Sequence, residues 1–221
     1  SIERISFRTG PYRDKPTRRT PNQKPGPDLP GADDPKYVHC DAVWSPDGDY
    51  LVFARAEAKD AYLDNERLAQ RADDPAETRI QYDLYRIPFD GGRGGQPEPI
   101  AGASNNGMSN TFPKVSPDGK WIAYLSDKTG ENEIYTMKSD GTGEENQITK
   151  GLGNYPWLIH WSPDSRKILF HDETYQLYYV DIEAKKIVVI DEDPLFDISS
   201  YTWAADSKWI AYTKNNLNGF S

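Results

Sequence analysis

The sequence predicts an all-β protein, a β-propeller of four recognisable four-stranded blades. Three observations carry this: a recurring five-residue box, an alternating apolar run at a fixed offset behind each box, and many aromatics together with many turn-formers. Aromatic residues make up 12% of the 221 positions, and glycine and proline number 17 each. That mixture suits short strands joined by tight turns.

The box Trp44-Ser45-Pro46-Asp47-Gly48 returns as Val115-Ser116-Pro117-Asp118-Gly119 and as Trp161-Ser162-Pro163-Asp164-Ser165. A degraded copy is Trp203-Ala204-Ala205-Asp206-Ser207, and successive anchors lie 71, 46 and 42 residues apart. Pro-Asp-Gly is turn chemistry: proline presets φ, aspartate caps the backbone and glycine takes a positive φ. Behind the boxes come Tyr50-Leu51-Val52-Phe53, Trp121-Ile122-Ala123-Tyr124, Lys167-Ile168-Leu169-Phe170 and Trp209-Ile210-Ala211-Tyr212. A period of two predicts half-buried strands, so each unit opens with a β-hairpin whose inner strand ends at the anchor.

A third strand is expected at 83–87, 133–137 and 176–180, and a more polar fourth at 98–100, 146–149 and 186–190. Four short antiparallel strands repeating every 42 to 46 residues describe a propeller blade. Blade boundaries fall at about 37–100, 101–150, 151–192 and 193–221. The last unit lacks outer strands, and Ser1-Ile2-Glu3-Arg4-Ile5-Ser6-Phe7 fits the third-strand pattern. Either that N-terminal strand closes the ring, hiding a strand edge, or the blades are part of a larger propeller. Residues 1–36 form a Pro/Arg-rich arm of net charge +3, and 56–79 form an insertion with a short capped helix around Asp64.

The net charge of −9 opposes phosphate backbones, so nucleic acid is not an expected partner. The single cysteine, Cys40, excludes an internal disulfide and a thiolate zinc cluster. No apolar run approaches the length of a transmembrane segment. The chain begins at Ser1 without a basic-then-apolar leader, as a mature, trimmed or excerpted chain does.

The W-S-P-D-G box followed by a W-I-A-Y-type strand resembles the PD40 (WD40-like) propeller repeat of TolB-type proteins and of the tricorn protease propeller. The resemblance covers residues 37–221, with Trp203–Ser207 lacking the Ser-Pro pair. It implies a docking or gating role rather than proteolysis, since tricorn's peptidase chemistry lies in domains that nothing here matches. Such families carry six or seven blades, and this chain shows four. A periplasmic or otherwise extracytoplasmic setting is favoured over a cytoplasmic one.

Candidate chemistry is sparse. The three histidines are His39, His160 and His171, and no G-x-S-x-G elbow exists; Gly102-Ala103-Ser104-Asn105-Asn106 fails at its last position. His171-Asp172-Glu173 and Asp191-Glu192-Asp193 lack EF-hand spacing and read as solvated turn charges rather than calcium ligands. Gly91-Gly92-Arg93-Gly94-Gly95 reads as a flexible hairpin loop, because no helix follows it to receive a phosphate. No catalytic residue, metal or cofactor is therefore expected.

Propeller inner strands line the axial channel and open at one mouth. His39, Asp41, Asn110, Trp157, His160 and Ser199 fall there and are the candidate ligand-binding residues. Hydrogen bonding and stacking by these side chains suit a peptide. The expected function is a non-catalytic protein- or peptide-binding scaffold. The alternatives are a substrate-gating segment of a tricorn-like serine peptidase and a propeller enzyme acting on a polysaccharide.

Overall fold

The computed structural model describes residues 29–58, 80–196, 198 and 200–214. The chain forms two compact units, Ser1–Pro113 and Lys114–Ser221. In the first, β1 (Tyr37–Trp44), β2 (Tyr50–Glu57), β3 (Asp83–Pro88) and β4 (Glu98–Pro99) make one antiparallel sheet in chain order. The division between units falls inside β5 (Asn110–Val115), which heads a sheet with β6 (Trp121–Ser126), β7 (Glu133–Lys138) and β8 (Asn146–Gln147). A third four-stranded sheet comprises β9 (Pro156–Trp161), β10 (Lys167–Asp172), β11 (Gln176–Asp181) and β12 (Lys186–Glu192). Among the described residues the last sheet has two strands, β13 (Tyr201–Trp203) and β14 (Ile210–Tyr212). The architecture is all-β, and its repeating four-stranded sheets are propeller blades.

Each anchor, Trp44, Val115, Trp161 and Trp203, ends its inner strand as the hairpin reading requires. The box explains why. The Ser45, Ser116 and Ser162 hydroxyls donate to Asp47, Asp118 and Asp164 at 2.5, 2.6 and 2.6 Å. The same oxygens accept the N–H of Tyr50, Trp121 and Lys167, the first residue of the returning strand. Each aspartate also accepts the N–H two residues on, from Asp49, Lys120 and Arg166. The serine and aspartate side chains of the turn thus bond within the turn itself, which fixes its geometry.

The second strands differ from the half-buried expectation. Leu51, Val52, Phe53 and Ala54 are all buried, as are Ile122, Ala123, Tyr124 and Leu125, and Ile168, Leu169 and Phe170. Leu51 and Phe53 of β2 are covered by Leu29 and Ala32 of the preceding segment, whereas Leu169 of β10 packs on Ile198 and Tyr201 of the next repeat unit. The fourth strands β4 and β8 are only two residues long. Trp209 precedes β14 and stays 73% exposed, not half-buried within a strand.

In the second unit, hydrogen bonds tie successive blades together. The Trp161 indole donates to the Lys114 carbonyl at 2.9 Å, and the Trp203 indole to the His160 carbonyl at 3.4 Å. Serine replaces glycine at two turn positions, and its hydroxyl has a use there. Ser165 accepts the Asp118 N–H and Ser207 accepts the Asp164 N–H, at 3.1 and 3.0 Å. Leu169, Leu177, Ile198 and Tyr201 form the apolar cluster between β10–β11 and β13.

The described part of the Pro/Arg-rich arm joins the core: Leu29 and Ala32 pack with Leu51, Phe53 and Ile87. The Gly91–Gly95 loop is correspondingly held. The Gly95 N–H donates to the Pro30 carbonyl at 3.1 Å, and a Cβ on Gly94 would meet that oxygen at 2.1 Å. Residues 56 and 57 of the expected insertion continue β2. The expected helix around Asp64 and the closing strand at 1–7 lie outside the described residues.

Candidate functional site

Three inner strands share a backbone device. Asp41, Phe112 and Leu158 each sit three residues before their anchor and adopt φ of +56°, +52° and +48°. The β1/β2 register slips between Cys40 and Val43, and the β9/β10 register between Leu169 and His171. These are β-bulges, which re-aim side chains at the cost of a strained conformation for non-glycine residues.

In β9 the bulge leaves Trp157 and Leu158 exposed, at 41% and 48%. With His171, Asp172, Glu173 and Tyr175 they line a cavity of about 400 Å³ at the β10–β11 turn. Tyr201 braces the bulge from β13. Its hydroxyl lies 2.8 Å from the Leu158 carbonyl, 3.2 Å from the Trp157 carbonyl and 2.9 Å from His171 Nδ1. The phenol has one proton, and the shorter carbonyl contact takes it; His171 Nδ1–H then donates to Tyr201. The Tyr155 ring lies 4.5 Å from that of Trp157. A strained bulge with exposed side chains is thereby held in one geometry.

Asp172 is a strut of this turn. Its Oδ1 accepts from the Thr174 and Gln176 N–H groups and the Thr174 hydroxyl, its Oδ2 from Tyr178 and Asn154. Burial pulls its carboxyl upward, but the hydrogen bonds from Thr174, Tyr178 and Gln176 outweigh that and hold it below the usual range. His171 and Asp172 are therefore buried and bonded, not the solvated turn charges that the sequence suggested. Glu173 is exposed, and its carboxylate makes no hydrogen bond or ion pair among the described residues. Of the other acidic cluster, Asp191 accepts from Tyr212 and Lys214, both at 2.8 Å. No group of three or more His, Cys, Asp or Glu side chains among the described residues is placed to hold a metal.

The sequence-selected residues separate between the two units. Trp157 and His160 lie on β9, with the His160 ring 5.4 Å from Tyr201. Burial, then Lys114 and His171, lower the His160 pKa. His39 is 2% exposed and packs its ring on Phe53 at 5.2 Å. Asn110 is wholly buried, its amide donating to Asn106 Oδ1 and the Met108 carbonyl. Neither presents a side chain to solvent within its own unit. Asp41 is part-exposed at the first bulge; burial, then Asp41, push the neighbouring Cys40 thiol up. Ser199 lies outside the described residues. Sequence reasoning passed over Tyr201 and Tyr175, whose placement depends on contacts from one strand or turn to another.

No family model matches the chain. An uncharacterised protein of Agrobacterium fabrum is 26% identical over 196 residues, covering 81% of this chain and 55% of that protein. The chain thus spans about half the length of the curated relative it matches. TolB from Acinetobacter baumannii superposes with a TM-score of 0.54 at 20% identity, over 82% of this chain and 39% of that one. An oligogalacturonate lyase from Vibrio parahaemolyticus gives 0.58 at 14% identity, over 85% of this chain and 50% of that one. These likenesses show the β-propeller fold, shared with TolB-type proteins. No helix among the described residues is long and apolar enough to cross a membrane.

Proposed function

We propose that the protein is a non-catalytic protein- or peptide-binding β-propeller of the PD40 type, and that the β9–β10 cavity seats the partner. The observation that carries this reading is the exposure of Trp157 and Leu158 on a bulge that Tyr201 holds in place. Rigid aromatic side chains bind at little entropic cost, so a pre-formed aromatic cavity favours recognition. The unpaired Glu173 carboxylate and the net charge of −9 select a basic partner. An apolar side chain seated on Trp157, flanked in sequence by lysine or arginine, matches both features.

Selection from a displayed random-peptide library tests it. The wild-type protein is expected to enrich peptides with an apolar residue beside a basic one, and Trp157→Ala to lose them. No enrichment over a bare support, or equal enrichment by Trp157→Ala, overturns the reading.

A further inference from the structure

The first unit holds a separate cavity of about 320 Å³ where β2 runs out beside β1 and β3, lined in part by Tyr37, Arg55, Glu57, Asp83, Tyr85 and Asn105. Cross-strand pairing explains the gathering. Tyr37 faces Glu57, Phe53 faces Tyr85, and Arg55 faces Asp83, so alternate residues of three strands share one side of the sheet.

Arg55 has an unusual setting there. Its guanidinium carbon lies 3.3 Å from the Tyr37 ring centroid and 4.7 Å from that of Tyr85. Cation–π contact on these rings fixes the group without using its N–H donors, which lie in its own plane. Arg55 makes no hydrogen bond or ion pair among the described residues, and its Nε is buried without a partner. A held guanidinium whose two terminal amino groups keep their in-plane donors matches a carboxylate, which accepts two parallel hydrogen bonds.

Asp83 narrows the choice. It directly opposes Arg55 in register yet forms no ion pair with it; instead its Oδ1 accepts the Asn105 N–H at 3.0 Å. Burial raises its pKa above the ordinary value, as for a carboxylate that lacks a cation. A phosphate dianion beside Asp83 and Glu57 would be repelled. A molecule carrying both signs satisfies both walls.

We propose that this cavity binds a small zwitterion, an α-amino acid, with its carboxylate on Arg55 and its ammonium group on Asp83. The cavity lies near the lower end of ligand-pocket volumes, which suits one such molecule rather than a chain. This site is independent of the peptide reading above.

Calorimetric titration of the whole chain with each proteinogenic L-amino acid tests the proposal, followed by acetate and ethylammonium as half-ligands. The Arg55 Nε–H resonance reports where binding occurs. The expected result is saturable binding of at least one amino acid that shifts this resonance, with acetate and ethylammonium each weaker by about tenfold or more. Arg55→Lys, which keeps the charge and the apolar stem, is expected to weaken binding about tenfold by losing the paired donors. Asp83→Asn is expected to abolish the preference for the amino acid over acetate. Failure of every amino acid to bind, acetate binding as tightly as the amino acid, or unchanged binding by Arg55→Lys each overturns the proposal.

Discussion

The indole N–H of Trp161 donates to the carbonyl of Lys114 at 2.9 Å, joining the third blade's anchor to the residue before the second blade's anchor. Trp203 makes the same bond to His160, again the residue before an anchor. Trp161→Phe keeps the packing and removes the donor, leaving the Lys114 carbonyl short of one partner. Urea unfolding should show a loss of about 1 kcal/mol. An unchanged midpoint would mean that the indole contributes through its rings alone.

The fourth box has alanine where the others have serine, yet its backbone closes identically: the Ala204 N–H donates to the Trp209 carbonyl at 2.8 Å, as Ser162 does to Lys167. Asp206 still accepts the Lys208 N–H. Ala204→Ser therefore places a hydroxyl between Asp206 and the Trp209 N–H, and should add up to about 1 kcal/mol. Ser162→Ala should subtract at least as much, since two N–H groups and Asp164 lose a partner. The two melting temperatures should move in opposite directions.

His160 makes stability depend on pH in a defined sense. Burial, Lys114 and His171 all disfavour its protonated form, so the folded state takes up the proton less readily than the unfolded state. The contribution is complete above the unfolded histidine value of about 6.5 and is lost as pH falls below it through the folded value. Asp164 and Asp118 are likewise held low: burial opposes, but hydrogen bonds from Ser162 and Ser116 and from backbone N–H groups, with nearby lysines, outweigh it. Their contribution is present above about pH 4 and disappears below it. His160→Gln should flatten the stability profile below about pH 6.5 while leaving the steeper acid limb in place. An identical profile for the variant contradicts this assignment.

Leu158 separates binding from stability. Its φ of +48° costs a leucine about 1 kcal/mol, and glycine relieves that while gaining unfolded-state entropy of similar size. Leu158→Gly should leave the unfolding free energy within about 1 kcal/mol of wild type. Peptide capture should nevertheless fall, because the cavity loses an exposed apolar wall. Loss of both properties together would make Leu158 a packing residue.

The blades were legible because their signals are local. The Ser-Pro-Asp-Gly turns and the aromatic runs at Tyr50, Trp121 and Lys167 lie within a few residues of one another, and each box bonds to itself. The cavity was only half legible. Trp157 and His160 stood out by position on an inner strand, but Tyr201 reaches the site from 44 residues beyond Trp157. Its role depends on stacking of one blade on the next, which no short window contains. His171 and Asp172 read as turn charges because their neighbours Glu173 and Thr174 are polar; their burial follows from β10 being covered on both faces. Arg55 went unnoticed for a similar reason. Nothing in Phe53-Ala54-Arg55 shows that tyrosines from β1 and β3 will hold its guanidinium.

The most direct test of the binding reading is the Trp157 indole N–H resonance, followed while a selected basic-apolar peptide is titrated into the protein. The account predicts a saturating shift at Trp157 whose midpoint matches the calorimetric affinity, with the Trp161 indole unmoved on its Lys114 carbonyl. A peptide that binds while Trp157 stays unperturbed would contradict it and place recognition elsewhere on the propeller.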